Sequence, residues 1–209
     1  MSHRYLVVLG IVTLVGLPSP SAGAVTAWTD VVVRVYDASG VLEGTNRTAL
    51  DYARKTVEAA SIDVIWRLCA TPQACNAPIA PGELAIRIVR SPGPRRYQGL
   101  MPLGDAVLDT RSGSGVLATI YVDRVEWFAR QAGAEIRVLL GRAIAHELGH
   151  LLLATTTHGP VGLMRALWSQ EEVRRGQPRD WSFAPGELAV IRRRAEARQH
   201  DARLAWGTR

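Results

Sequence analysis

The stretch that constrains this chain most is His146-Glu147-Leu148-Gly149-His150, set in an Ile/Ala/Leu-rich run and followed by His158 and Met164. Side chains four apart on an α-helix stack one turn above the other on one face. The spacing lets the His146 and His150 imidazoles bind one zinc ion. It also leaves Glu147 beside the open coordination position, where it can take a proton from metal-bound water. A long helix is expected over residues 134–153, spanning about 30 Å. Its core stripe is Ile136, Leu140, Ile144, Leu148 and Leu151 or Leu152. Two surface histidines on an amphipathic helix would be the plainer reading. It gives no reason for polar His and Glu in so apolar a helix.

Two imidazoles leave a catalytic zinc site incomplete, because such a site has three protein ligands and a water. Read through to Met164, the stretch HELGHLLLATTTHGPVGLM resembles the metzincin metallopeptidases, in particular their matrixin-like branch. That family carries H-E-x-x-H-x-x-G-x-x-H and then a Met in a tight turn beneath the metal. The resemblance implies His146, His150 and His158 as zinc ligands, Glu147 as general base, and Met164 as the turn methionine. Gly159 and Gly162 supply the flexible backbone of such a turn. Two departures stand out. Leu153 occupies the family's Gly position, and His158 comes two residues late. The helix is expected to run on through Leu153, with Ala154-Thr155-Thr156-Thr157 making the return. Three successive threonines disfavour helix through stiff χ1 angles and competing side-chain hydrogen bonds. A second ligand set uses a downstream Glu instead: Glu171 and Glu172 lie 21 and 22 residues after His150. The Gly-Leu-Met beyond His158 favours the histidine.

Strands are expected at residues 31–36, 62–68, 83–90, 103–109 and 117–125, the fourth as a short edge strand. In the first, Asp30 and Arg34 read as exposed points. Asn46 reads as the cap of a helix bearing Leu50, Ala53, Val57 and Ala60, and Asn46-Arg47-Thr48 also fits a glycosylation sequon. Residues 91–99 and 112–115 read as loop and turn. A helical lead-in is expected at residues 126–131, with Gly133 as punctuation. Beyond Met164, Leu167, Trp168, Trp181 and Phe183 form an aromatic-apolar cluster. A last helix starts at Pro185 and reaches about Ala205, with Leu188, Ile191 and Ala195 inward.

This order also resembles the metzincin catalytic domain. It implies an α/β (α+β) zincin fold: a mixed, twisted sheet of about five strands on two long helices, then a small C-terminal subdomain with a final helix. The expected divisions are 25–158 and 159–209 within one domain. A substrate peptide is expected to add as a strand along the 103–109 edge, as extended peptides commonly do on sheets, touching Gly104, Asp105 and Ala106. The resemblance also implies that residues 162–168, with Gly162 and Leu163 at their start, wall the pocket beyond the scissile bond.

A chain of 209 residues is long enough for one full core. Residues 1–24 read as a secretory signal: Arg4, an apolar run from Tyr5 to Leu17, then Ala22-Gly23-Ala24 as cleavage site. That run is too short for a comfortable membrane span, so no stable anchor is expected after cleavage. The expected location is secreted or periplasmic, and Cys69 and Cys75 are expected to form one small-loop disulfide there. The net charge of +6 gathers at Arg95-Arg96, Arg174-Arg175 and Arg192-Arg193-Arg194. These read as solvated faces; no nucleic-acid partner is expected, since no aromatic interleaving or binding motif accompanies them. The resulting expectation is a monomeric, secreted, zinc-dependent endopeptidase acting on a peptide or protein substrate through a zinc-bound water activated by Glu147. The rival is a secreted zinc-binding domain that recognises a partner without catalysis.

Overall fold

The computed structural model of the chain describes residues 28–70, 75–92, 101–109 and 114–207. The proposed signal segment, Arg95-Arg96 and most of the 91–99 loop lie outside them. The elements are β1 (Thr29–Asp37), a 3-10 turn (Gly44–Arg47), α1 (Thr48–Glu58), β2 (Ile62–Leu68), β3 (Leu84–Val89), β4 (Gly104–Asp109) and β5 (Ser114–Tyr121), followed by α2 (Val122–Ala132), α3 (Ile136–Leu153), α4 (Gln170–Arg175), a second 3-10 turn (Pro178–Trp181) and α5 (Pro185–Gly207). The five strands form one sheet in the order β2-β1-β3-β5-β4. β1 pairs parallel with β2 and β3, β3 pairs parallel with β5, and β4 alone runs antiparallel, at the edge.

Parallel pairing of consecutive strands requires a crossover. α1 supplies it between β1 and β2, burying Ala49, Leu50, Ala53 and Val57. The Val-rich β1 and Ile-rich β3 occupy the middle of the sheet, where both flanks are paired and β-branched side chains pack well. Val33, Ile62, Leu84, Ile86, Ile88 and Ile120 are fully buried there. The mixed α/β sheet of five strands, packed on helices and followed by a C-terminal helix, is the expected fold class. Among the described residues no helix is long and apolar enough to cross a membrane.

Four local expectations are corrected. Arg34 is buried, not exposed. Its Nε donates to Glu83 Oε2 at 2.8 Å, and Nη1 and Nη2 donate to the Ala77 and Pro78 carbonyls at 2.5 and 2.9 Å. Arg67 Nη1 donates to the other Glu83 oxygen at 2.6 Å. A buried charge is tolerated when paired and hydrogen-bonded, and this network pins the segment after the Cys69–Cys75 disulfide onto β1. Asn46 is not the cap: it lies within the first 3-10 turn, and Arg47 occupies the N-cap position of α1. The fifth strand stops at Tyr121, and Val122 and Val125 are buried on α2, which ends on left-handed Gly133. Ser114 and Gly115 belong to β5 instead of a turn.

Candidate metal centre

From Ala143 to Leu153 every residue of α3 is buried. The helix is apolar all round, as a helix enclosed on every side must be. His146, Glu147 and His150 are the exceptions in chemistry, each less than a tenth exposed. Burying two imidazoles and a carboxyl in such a setting demands partners.

The partners are main-chain carbonyls and each other. His146 Nδ1 lies 2.8 Å from the Leu163 oxygen and His150 Nδ1 2.7 Å from the Thr155 oxygen. A carbonyl only accepts, so both rings carry their proton on Nδ1 and present an Nε2 lone pair. Those lone pairs face one another: His150 Nε2 stands 3.1 Å from His146 Nε2 and 3.3 Å from His158 Nε2. All three ligand atoms lie within 4.8 Å of one another. Lone pairs turned together at such distances repel unless a cation sits between them. Zinc–nitrogen bonds of about 2.0–2.1 Å at tetrahedral angles set ligand nitrogens about 3.3 Å apart. The donor set therefore fits a zinc ion, with carbonyl-anchored imidazoles of the kind that hold such ions.

The return from α3 to His158 shows how the altered spacing is built. The helix does run through Leu153, and Ala154 takes the left-handed conformation at φ 48°. Thr155 N then donates to the His150 carbonyl at 3.2 Å, and Thr157 N to Thr155 Oγ1 at 3.1 Å. Beyond His158, Gly159 N donates to the Met164 carbonyl at 2.8 Å and Leu163 N to the Ser182 carbonyl at 2.9 Å, closing a turn. Gly162 makes the turn possible at φ 74°, where an added Cβ would stand 2.5 Å from the Ser182 carbonyl oxygen. Met164 is fully buried, its sulfur against Gly149, so it packs under the helix between the two ligand histidines.

Glu147 lies over the first residue of β4. A Cβ at Gly104 would stand 2.7 Å from Glu147 Cγ and 2.8 Å from its Oε1. The other carboxyl oxygen, Oε2, is buried and has no hydrogen-bond partner. Burial first, and then the Asp105 charge, raise the Glu147 pKa to about 8. Burial lowers His146 to about 4 against the opposing Leu163 hydrogen bond, and lowers His150 as well. A cation on the three nitrogens would pull Glu147 the other way.

The four groups open into a cleft of about 270 Å³. Gly104, Asp105 and Ala106 line it; Gly162 and Leu163 do not. Leu163 is turned inward, fully buried, and spends its carbonyl on His146. The wall on that side is Arg165 to Trp168, the later part of the 162–168 segment. Arg165 is engaged by Glu172 and donates to the Gly162 carbonyl at 2.9 Å. Trp168 stacks edge-on against His146, ring centroids 5.4 Å apart. Trp127 and Phe128 of α2 also line the cleft. Sequence reading passed over them, although two adjacent aromatics beside the Asp123–Arg124–Glu126 polar face were a usable sign. Glu171 stands apart from the cluster. Its side chain is 73% exposed and pairs with Arg175 at 3.8 Å, while Glu172 caps α4 through Ser169. His200 and Arg192 to Arg194 are exposed on α5.

The fold and site together define an α/β domain with three convergent imidazoles and a buried carboxyl on one helix and its return loop. No protein-family model and no curated protein matches the chain. Among solved structures, one similar chain is archaemetzincin from Methanopyrus kandleri: 15% identity, TM-score 0.49, covering 81% of this chain and 96% of that one.

Proposed function

We propose that this chain is a secreted zinc metallopeptidase. The observation that supports it is the set of three Nε2 lone pairs at 3.1 and 3.3 Å, beside the buried, unpartnered Glu147 Oε2. Zinc bound by His146, His150 and His158 would supply a Lewis acid and lower the pKa of water toward neutrality. The chain's own residues do the rest. The Leu163 and Thr155 carbonyls hold the two buried rings in one tautomer and orientation. Glu147, as carboxylate, accepts a proton from the attacking water and delivers it to the leaving amine. Its position over Gly104 puts it between the ligands and the edge strand on which an extended peptide can lie. Met164 supports the helix under the ligands and binds nothing. The disulfide between Cys69 and Cys75 suits an exported protein, as does the signal-like N-terminus.

The deciding experiment is metal content together with cleavage of a mixed peptide library by the purified chain, wild type and Glu147→Gln. A peptidase gives near-stoichiometric zinc in both and hydrolysis in the first alone. Full zinc with an inert wild type would instead support the non-catalytic binding domain.

A further inference from the structure

Trp168 and Trp181 are more than nine-tenths buried, at 8% and 7% exposure, yet neither indole Nε1 has a hydrogen-bond partner among the described residues. A buried indole usually finds a partner for its N–H, so these two rings are held by contact through their faces and edges. Those contacts run in a chain. The Arg142 guanidinium carbon stands over the Trp181 ring, 3.8 Å from its centroid. Trp181 meets Trp168 edge-on with centroids 5.0 Å apart, and Trp168 meets His146 in the same way. Arg142 and His146 lie four apart on α3, hence on one face, one turn apart. The chain thus leaves the helix at Arg142, passes through the second 3-10 turn and the residue two before α4, and returns to the same helix at His146.

The Leu163 carbonyl fixes His146 at Nδ1, a single hydrogen bond. A ring held at one atom can still tilt about it, and tilt carries Nε2 away from the point where the three lone pairs meet. The other imidazoles against it, His150 and His158, are themselves ligands. Trp168 is not, and it stands at 86° to the imidazole plane, where it limits the tilt. Trp181 holds Trp168 in turn, and Arg142 holds Trp181, a cation over the face of an indole being a favourable pair. We infer that Arg142, Trp181 and Trp168 form a positioning stack for His146, which sets the aim of its Nε2 and with it the affinity of the centre for metal. The inference rests on the metal-binding half of the proposed function and not on peptide hydrolysis.

The test measures zinc affinity by competition with a chromophoric chelator, and the visible absorption of the cobalt(II)-loaded protein, which reports ligand geometry. Removing a side chain that orients a metal ligand weakens binding by about 10-fold or more. Trp168→Ala should show that loss with altered cobalt bands, and Trp168→Phe, which keeps a ring against His146, should restore most of it. Arg142→Gln removes the far end of the stack. It should weaken zinc binding about three-fold in the wild type and not further in Trp168→Ala, because links of one chain do not add. Tight zinc binding by the wild type, with affinity and cobalt bands unchanged in Trp168→Ala and Arg142→Gln, overturns the inference and leaves the metal centre standing. Losses that add in the double variant overturn it too. If Trp168→Ala does not fold, Arg142→Gln decides by itself: an unchanged affinity sinks the stack. A wild type that takes up no zinc removes the metal centre and the inference together.

Discussion

Glu147 rests against the bare Cα of Gly104, so closely that a single methyl there would stand 2.7 Å from its Cγ. The carboxyl is placed by the absence of a side chain on the edge strand. The same methyl would stand 2.6 Å from the Thr119 main-chain oxygen of β5, so Gly104→Ala should shift the edge strand and Glu147 together without touching any ligand. A displacement of the order of 1 Å at a catalytic group costs about 100-fold in rate. The expected outcome is a kcat lowered by about that factor with zinc content unchanged. A variant as active as wild type would show that Glu147 tolerates the shift.

His158 is the exposed member of the triad, and Glu171 points away from it. After dialysis against a weak chelator, His158→Ala should lose its zinc, while Glu171→Ala should keep it. Retention by the first and loss by the second would transfer the third ligand to Glu171.

The metal-free protein should be most stable near pH 6.5. Between pH 4 and 6.5 the unfolded chain protonates the histidine that the folded chain keeps neutral at position 146, so stability rises with pH. His150 acts in the same direction. Glu147 opposes them above its unfolded value of 4.5 and acts alone above 6.5, where the folded state holds a proton the unfolded state has released, up to about pH 8. Over that last window the loss is about 2 kcal/mol. Denaturant titrations should show the decline in wild type and not in Glu147→Gln.

Ala154 carries a left-handed backbone that suits glycine. Relieving it gains about 1 kcal/mol, less part of that for the freer unfolded chain, so Ala154→Gly should net about 0.5 kcal/mol of stability. A lowered melting temperature would mean that the Ala154 methyl contributes packing worth more than the strain.

The buried Glu83 joins the buried Arg34 and the exposed Arg67 in one network. Removing one partner leaves buried charge uncompensated, so Glu83→Ala should cost about 3–5 kcal/mol in chemical unfolding. Burial works against the Glu83 carboxylate, but the Ala80 amide and the two arginines outweigh it and hold its pKa below the usual range. The stability it adds is present above pH 4.5 and fades as pH falls through its lowered value.

The sequence spoke plainly where one local pattern decided the outcome. Ile62–Leu68 alternates and is a strand; residues 136–153 repeat at helical spacing and are a helix; two histidines four apart on that helix face one point. It was silent where the partner lies far along the chain. Arg34 reads as exposed because nothing nearby announces Glu83, 49 residues away. Val122 and Val125 read as strand because β-branched residues favour it, yet α2 buries them against the core. Leu163 looked like pocket wall by sequence position, but the turn at Gly162 points it inward.

Both buried imidazoles are steadied by main-chain oxygens, at Leu163 and Thr155. Alanine scanning across residues 151–163 would leave those oxygens in place, so the scaffold that orients the rings would pass such a screen undetected. Only a change in loop length or backbone path would reveal it.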